Sequence, residues 1–358
     1  MDESCQTIHF CISSRFKVQL QFINVNPGPE FNHTDRQFMN LYKWSRLLNH
    51  SCRWLQRNMK GVISLSTLVA LWLGLGFQLL VALAITCVLY LCMGGWRFML
   101  VVVKTLPRDA NALMTVVRLK RTLRAHARNK KGVPSLFYET CNAYPNKTCF
   151  IDVVGDKYWS FTDVDEYSNR IANYFLSQGY QPGDTVAIFA ESSGQYVSTW
   201  LGLSKIGVVP ALINFNLRLE SLAHCVAAAN VKAIIYTSEL RSAVEEADSL
   251  ISQNVIRIEQ GPNTSLDNAL LSSSAARPPL LDYDFNAPLI FIYTSGTTGL
   301  PKAAKVVHSR YFYMVNTVHK FGGMSTDSVI YDTLPLYHSA GGILGVGQAL
   351  LQGKCAIR

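Results

Sequence analysis

The ten residues from Tyr293 to Lys302, YTSGTTGLPK, combine hydroxyl side chains, glycines and a lysine in one short segment. Hydroxyls donate hydrogen bonds, glycines let backbone N–H groups turn toward an anion, and a lysine adds positive charge. The candidate binding residues are Tyr293, Thr294, Ser295, Gly296, Thr297, Thr298, Gly299 and Lys302. This composition suits a polyphosphate site, and a polar turn between two strands uses the same residue types.

The spacing of the segment differs from that of a Walker A loop. Two residues separate Gly296 from Gly299, and no Lys-Ser/Thr pair opens a helix after them. The apolar run 287–293 before the loop predicts a buried strand, and the run 302–308 after it predicts a second strand. The segment is therefore expected to connect two strands.

Further strands and helices alternate along the preceding sequence. Runs at 184–190, 208–213, 232–236 and 255–258 predict strands, and 195–206, 217–229 and 238–252 predict the helices between them. This order is typical of a layered α/β domain with parallel strands, which we place at residues 132–358. The polar stretch 259–284 is predicted to be a surface excursion before the loop.

Composition limits the class of protein. With 358 residues and 49% apolar content, the chain can bury a large core. Its nine cysteines are scattered and form no C-x-x-C pair, which indicates reduced thiols in a cytosolic body and not a disulfide framework or a zinc site. No metal-ligating residues are predicted.

Residues 61–96 contain no charged side chain and predict a transmembrane or membrane-embedded anchor. As one helix they would reach ~54 Å, against a hydrocarbon core of ~30 Å. Two arrangements fit: a helical hairpin broken near Gly74, Gly76 and Gln78, or a single span near Leu71 to Leu91 behind an interfacial stretch. Basic residues flank both ends, so the positive-inside rule does not choose an orientation.

The segment 97–131 carries ten basic residues and one acidic residue, so its net charge of +9 equals that of the whole chain. Because it directly follows the anchor, anionic lipid headgroups are its expected partner, and no nucleic-acid motif accompanies it. Residues 1–60 show no clear pattern. The predicted location is a membrane, the endoplasmic reticulum or the plasma membrane, with the α/β domain facing the cytosol.

Several segments together resemble the fatty acid transport proteins, also called very-long-chain acyl-CoA synthetases, within the adenylate-forming or AMP-binding superfamily. The resemblance covers about residue 94 to the end and rests on the loop itself and on segments such as GGWRF (94–98), WLGLSKIG (200–207), ALINFNLR (211–218) and LPLYHSAG (334–341). It implies the N-terminal domain of the adenylate-forming fold.

The resemblance also implies a two-step reaction. A fatty carboxylate attacks the α-phosphate of ATP, and coenzyme A then displaces AMP to give the thioester. The loop would hold the pyrophosphate, with Mg²⁺ bridging its oxygens. Thr294, Lys302 and His338 are the expected catalytic residues, with His338 lining the acyl-carboxylate site. Taken alone, His338 is more typical of a hydrogen-bonded core histidine.

Other polar residues are predicted to be structural: His224 and His308, Asn214 fixing a turn and Arg218 capping a helix. The adenine-binding motif, the ribose-binding acid, the hinge and the C-terminal catalytic lysine of the family would lie beyond Arg358. We therefore expect a partial gene model or a shortened isoform. The alternatives to an active ligase are a non-catalytic membrane component for fatty-acid uptake or binding and an inactive fragment.

Overall fold

A computed structural model describes residues 8–12, 16–20, 66–74, 79–279, 281–294, 300–325 and 327–358. The chain divides into two units, Met1–Met114 and Thr115–Arg358. In the first unit, strands β1 (Ile8–Ile12) and β2 (Phe16–Leu20) form an antiparallel hairpin in the region where the sequence showed no pattern. A π-helical turn follows at Ala70–Gly74.

The predicted anchor region contains the start of a long helix. Helix α1 (Leu79–Tyr90), a π-helical turn (Leu91–Gly95) and helix α2 (Trp96–Arg128) form one continuous stretch of 50 residues. Gly94 has a positive φ of 85° at the kink, and Pro107 lies inside α2. By length and composition, this is the one helix among the described residues that could cross a membrane. The predicted break at Gly76 and Gln78 lies outside the described residues.

Within the second unit, the end of α2 packs against the α/β domain along one face. Leu119 is buried and Leu123 partly buried in a cluster with Phe285 and Phe312. The His126 ring lies 5.0 Å from the Phe312 ring, edge to face. Spacings of four and three residues put these α2 side chains on one stripe of the helix.

The remaining elements alternate between strands and helices. In chain order they are α3 (Val133–Ala143), β3 (Thr148–Asp152), β4 (Lys157–Ser160), α4 (Phe161–Ser177), β5 (Thr185–Phe189), α5 (Gly194–Lys205), β6 (Val209–Leu212), α6 (Leu219–Ala228), β7 (Ala233–Thr237), α7 (Arg241–Glu246), β8 (Ile256–Gln260), α8 (Ser265–Ser272), β9 (Pro288–Thr294), β10 (Lys302–Val307), α9 (His308–Phe321), β11 (Val329–Tyr331), α10 (Val346–Gln352) and β12 (Cys355–Ile357). A 3₁₀ turn (Ser238–Leu240) precedes α7, and a π-helical turn (Ala340–Gly345) precedes α10.

The larger sheet has six strands in the order β10-β9-β6-β5-β7-β8. Strands β9, β6, β5, β7 and β8 are parallel, and β10 pairs antiparallel with β9. The central strand β5 is buried along its whole length because helices cover both faces of the sheet. The predicted strands and the α/β fold are confirmed.

The prediction of a surface excursion at 259–284 was wrong in part. Helix α8 forms inside it and buries Leu266 and Leu270 against the main core. The Thr264 hydroxyl accepts the backbone N–H of Asp267 and caps the helix. Tyr283, at the end of the stretch, is also buried, and its hydroxyl donates to the carbonyl oxygen of Lys205 at 2.9 Å.

A second sheet has four strands in the order β11-β12-β3-β4. The strands β11, β12 and β3 are parallel, and β4 returns antiparallel to β3. The two sheets share one core cluster, in which Trp159 of β4 and Trp200 of α5 are both buried. The segment 334–341, which the resemblance assigns to the acyl substrate, begins three residues after β11 of this sheet.

Candidate active site

The two described ends of the candidate phosphate loop, residues 293–302, are paired with each other. Thr294 is the last residue of β9, Lys302 is the first residue of β10, and the two are paired across the antiparallel ladder. We call these two residues the loop base. Both side chains are exposed, so a hydroxyl and an ammonium are available to a ligand at this place. The structure thus confirms that the loop connects two strands.

The middle of the loop, Ser295, Gly296, Thr297, Thr298 and Gly299, lies outside the described residues. Tyr293, by contrast, is described. Its side chain is buried, and its hydroxyl donates to the carbonyl oxygen of Cys225 at 2.6 Å. Tyr293 therefore supports the loop from within the domain, and it offers no free hydroxyl to a ligand.

The loop base lies at the carboxyl edge of the parallel strands. Strand β9 pairs in parallel with β6, where Leu212 lies opposite Ile292, and β6 pairs in parallel with β5. The residues that follow β5 and β6 therefore leave the sheet at the same edge as Thr294. Ligands of open α/β sheets bind at this edge, where neighbouring connections run in opposite directions.

The segment Leu334–His338 contacts that same edge. The Leu336 backbone N–H donates to Oγ of Ser192, which follows β5, at 3.1 Å. The Tyr337 ring lies 5.7 Å from the ring of Phe215, which follows β6, in an edge-to-face arrangement. Residues 144 positions apart are thereby joined, and neither Ser192 nor Phe215 was predicted to serve the site.

His338 itself is exposed. Its backbone N–H donates to the Pro335 carbonyl at 3.0 Å, and its own carbonyl accepts the N–H of Gly342 at 2.8 Å. The backbone is thus fixed in a turn while the imidazole faces outward beside Tyr337, at a ring distance of 5.1 Å. An exposed imidazole on a fixed backbone is available to a substrate and is not the core histidine that the residue alone suggested.

Arg358, which directly follows β12, contacts the start of the segment Leu334–His338. Its guanidinium donates to the Leu334 carbonyl at 2.7 Å and to the Ser192 carbonyl at 3.2 Å. Asp332 lies in the same cavity as Arg358, and its Oδ2 has no hydrogen-bond partner among the described residues. Burial raises the pKa of Asp332 to about 6, while the Leu334 N–H and the charge of Arg358 oppose this rise.

The residues predicted to be structural have structural contacts. Asn214 Oδ1 accepts the Asn216 backbone N–H at 2.9 Å, which fixes the predicted turn. Arg218 stands at the N-cap of α6, but its guanidinium donates to the Phe215 and Leu217 carbonyls and makes no side-chain cap. His308 is buried and accepts the Val133 backbone N–H through Nδ1. His224 contacts the Pro301 carbonyl at 2.9 Å.

The fold and this edge define an adenylate-forming domain. The chain matches the family model described as AMP-binding enzyme over residues 137–357. It resembles the crystal structure of ATP-bound MatB from Rhodopseudomonas palustris with a TM-score of 0.56 and 23% identity, over 63% of this chain and 45% of that one. The chain belongs to the AMP-binding enzyme family.

The curated relatives specify the branch of that family. Long-chain fatty acid transport protein 1 of Rattus norvegicus is 41% identical over 308 residues, which are 83% of this chain and 47% of that protein. The medium/long-chain-fatty-acid–CoA ligase FadD6 of Mycobacterium tuberculosis is 28% identical, over 70% of this chain and 42% of that protein. The predicted resemblance to the fatty acid transport proteins is confirmed, and the chain spans about half the length of these relatives.

Proposed function

We propose that the chain serves in the ATP-dependent activation of long-chain or very-long-chain fatty acids to acyl-CoA through an acyl-adenylate, coupled to fatty-acid uptake. One observation carries the proposal: the loop base and the segment Leu334–His338 meet the carboxyl edge of the same parallel strands. A fatty carboxylate beside His338 and a triphosphate at the loop would therefore lie at the same edge of the six-stranded sheet. The names of the relatives, a fatty acid transport protein and a fatty-acid–CoA ligase, supply the substrate class.

The chemistry demands charge neutralisation. A carboxylate that attacks an α-phosphate brings an anion against a polyanion, so the barrier falls when fixed donors and cations meet the developing charge. In this proposal the Lys302 ammonium and the Thr294 hydroxyl meet the departing pyrophosphate. The roles of Ser295, Thr297 and Thr298 as further donors rest on their sequence alone. His338 would orient the fatty carboxylate.

The exposed hydroxyl and ammonium of the loop base fit a polyphosphate, which accepts hydrogen bonds and carries negative charge. Mg²⁺ would neutralise phosphate oxygens when bound, and the described residues provide no cluster of three or more side chains to hold it without the phosphates. Coenzyme A is the proposed acceptor of the acyl group.

We further propose that the chain resides in the endoplasmic reticulum or plasma membrane with its AMP-binding domain in the cytosol. The helix Leu79–Arg128 supports this location because it is long and apolar enough to cross a bilayer. A fatty acid partitions into the apolar part of the same bilayer, so an anchored domain would lie close to its proposed substrate. The basic part of α2 would face anionic headgroups.

ATP–pyrophosphate exchange by the full chain in detergent micelles, with and without a long-chain fatty acid, tests the proposal. We expect fatty-acid-dependent exchange that Lys302→Ala reduces at least tenfold. Lys305→Ala is the matched control, since Lys305 is an exposed lysine three residues along the same strand. Absence of exchange in the unmodified chain would contradict the proposed catalysis.

The second candidate is a membrane component that takes up or binds fatty acids without catalysis. It is favoured by the name of the relatives, which is that of a transport protein. Fatty-acid uptake by cells that express the Lys302→Ala and Thr297→Ala variants separates the two candidates. Unchanged uptake favours the non-catalytic component, and lost uptake favours trapping by activation.

A further inference from the structure

Helix α6 holds both sides of the hairpin that carries the phosphate loop. The Tyr293 hydroxyl, on the β9 side, donates to the Cys225 carbonyl at 2.6 Å. His224, the residue before Cys225, places Nε2 at 2.9 Å from the carbonyl oxygen of Pro301 on the β10 side. Because a carbonyl oxygen only accepts hydrogen bonds, Nε2 must carry the proton in this contact.

The two contacts flank the loop base, with Tyr293 on its sheet side and Pro301 on its loop side. Tyr293 directly precedes Thr294, and Pro301 directly precedes Lys302, so each contact is one residue away from the loop base. Proline has no backbone N–H, which leaves its carbonyl as the backbone group through which it can be held. The hydrogen bond from His224 therefore fixes the chain where the loop enters β10.

The contact with Tyr293 also gives the Cys225 carbonyl of α6 a hydrogen-bond donor. Cys225 lies in the last turn of α6, where carbonyl groups lack intrahelical donors. The N–H of Ala229, four residues further on, donates to Ala227 instead. The tyrosine hydroxyl thus supplies a donor to a buried carbonyl that would otherwise pay a desolvation penalty.

The helix is a firm support for these contacts. Leu222, Cys225 and Val226 are buried in a core cluster that also contains Tyr293 and the central strand residues Ala187 and Phe189. Two adjacent residues of α6 therefore each hold one limb of the hairpin, in addition to the ladder that pairs Thr294 with Lys302.

We propose that His224 and Tyr293 are positioning residues that hold the loop base ready for the triphosphate. The proposal rests on the proposed function for its effect on ATP and on geometry alone for its effect on the hairpin. Neither residue contacts the reacting groups. His224 is the better test, since its ring is partly exposed and its loss leaves the core cluster filled.

Hydrogen exchange of the peptide 300–307 in the full chain without nucleotide tests the geometric part. One lost hydrogen bond costs about 1 kcal/mol, so we expect His224→Ala to speed exchange there about fivefold. His224→Gln, which can donate an amide N–H to the same carbonyl, should stay near the wild-type rate. His319→Ala is the control, because His319 lies on another helix and its Nδ1 has no partner among the described residues.

Steady-state kinetics test the effect on ATP. We expect His224→Ala to raise KM for ATP about fivefold with little change in kcat or in KM for the fatty acid, and His224→Gln to restore it.

If hydrogen exchange of 300–307 is unchanged in His224→Ala, the proposal is overturned whatever the kinetics show. If hydrogen exchange is faster but KM for ATP is unchanged, the positioning role is overturned. A wild-type chain without ATP turnover counts against the proposed function, and hydrogen exchange alone then tests the contact between His224 and Pro301.

Discussion

The ammonium of Lys205 lies 2.6 Å from Oδ1 of Asp165, and both side chains are almost completely buried. Asn169 Oδ1 accepts a second hydrogen bond from Lys205 at 2.6 Å, and Arg277 Nε donates to the other Asp165 oxygen at 2.8 Å. Burial lowers the pKa of Lys205 to about 8, and the charge of Asp165 opposes this change. The network joins α4, α5 and the chain that follows α8.

Removal of one partner from this network should destabilise the domain strongly. We expect Lys205→Met to lower the free energy of unfolding by about 3–5 kcal/mol, because the buried charge of Asp165 would then be paired with the partly exposed Arg277 alone. The double variant Lys205→Met/Asp165→Asn should recover part of the loss. Denaturant unfolding followed by tryptophan fluorescence measures both, and equal stability of the single variant and the wild type would contradict the expectation.

His308 should make the domain sensitive to acid. Its buried ring accepts the Val133 N–H, and burial lowers its pKa to about 4, below the ordinary value of about 6.5. Between pH 6.5 and pH 4 the unfolded chain binds the proton and the folded chain does not. The free energy of unfolding therefore decreases by about 3 kcal/mol as the pH is lowered through this range. His308→Asn, which keeps an acceptor, should remove this dependence in unfolding curves at pH 7 and pH 4.5.

Asp332 should change the stability of the domain in the opposite direction to His308 over almost the same pH range. Its folded pKa of about 6 lies above the ordinary value of about 3.9, so its contribution to stability is present at low pH and is lost as pH rises through 6. Asp332→Asn removes this term. We expect the variant to lose stability more steeply than wild type between pH 6.5 and pH 4, and equal slopes would count against the assignment.

Ser192 and Ser193 are neighbours with different expected roles. Ser192 accepts the Leu336 N–H and should position the acyl segment, whereas Ser193 caps α5 by accepting the Tyr196 N–H. Ser192→Ala should raise KM for the fatty acid about fivefold with KM for ATP unchanged. Ser193→Ala should cost about 1 kcal/mol of stability and leave both KM values alone. A shared phenotype for the two variants would contradict separate roles.

The basic side of α2 should respond to lipid charge. Arg121, Arg124 and Arg128 are exposed on the side of the helix opposite Leu119 and Leu123. In the reconstituted chain, vesicles with phosphatidylserine should slow trypsin cleavage at these arginines relative to neutral vesicles, and high salt should reverse the effect. Cleavage after the exposed Arg310 of α9 serves as the control. Equal rates in both vesicles would contradict lipid contact.

Local pattern was sufficient to predict most of the large sheet. The strands around Val186, Val209 and Ile234 are continuous apolar runs, and such runs are typical of strands buried on both faces. Helix α8 was missed because serine and proline dominate its surroundings. Thr264 followed by Asp267, with Leu266 and Leu270 four residues apart, is a helix signal that could have revealed it.

The supports of the site could not be predicted in this way. Ser192, His224 and Arg358 act through partners that are distant in sequence, and each is an ordinary polar residue within its own element. Their roles arise only when the sheet order brings the ends of β5, β6 and β9 to one edge. Motif resemblance predicts Lys302 and His338 as site residues, whereas only tertiary contacts reveal the residues that hold the neighbouring backbone.

Lys302 also has a consequence for the solubility of the chain. Strand β10 is the outer strand of the six-stranded sheet, and an outer strand with free backbone groups can pair with another molecule. The exposed charges of Lys302 and Lys305 on that strand discourage such pairing by repulsion. Lys302→Ala therefore removes a charge that discourages aggregation together with the proposed phosphate-binding ammonium. Light scattering measures the aggregation of Lys302→Ala, and Lys302→Arg is the control that keeps the charge on the edge.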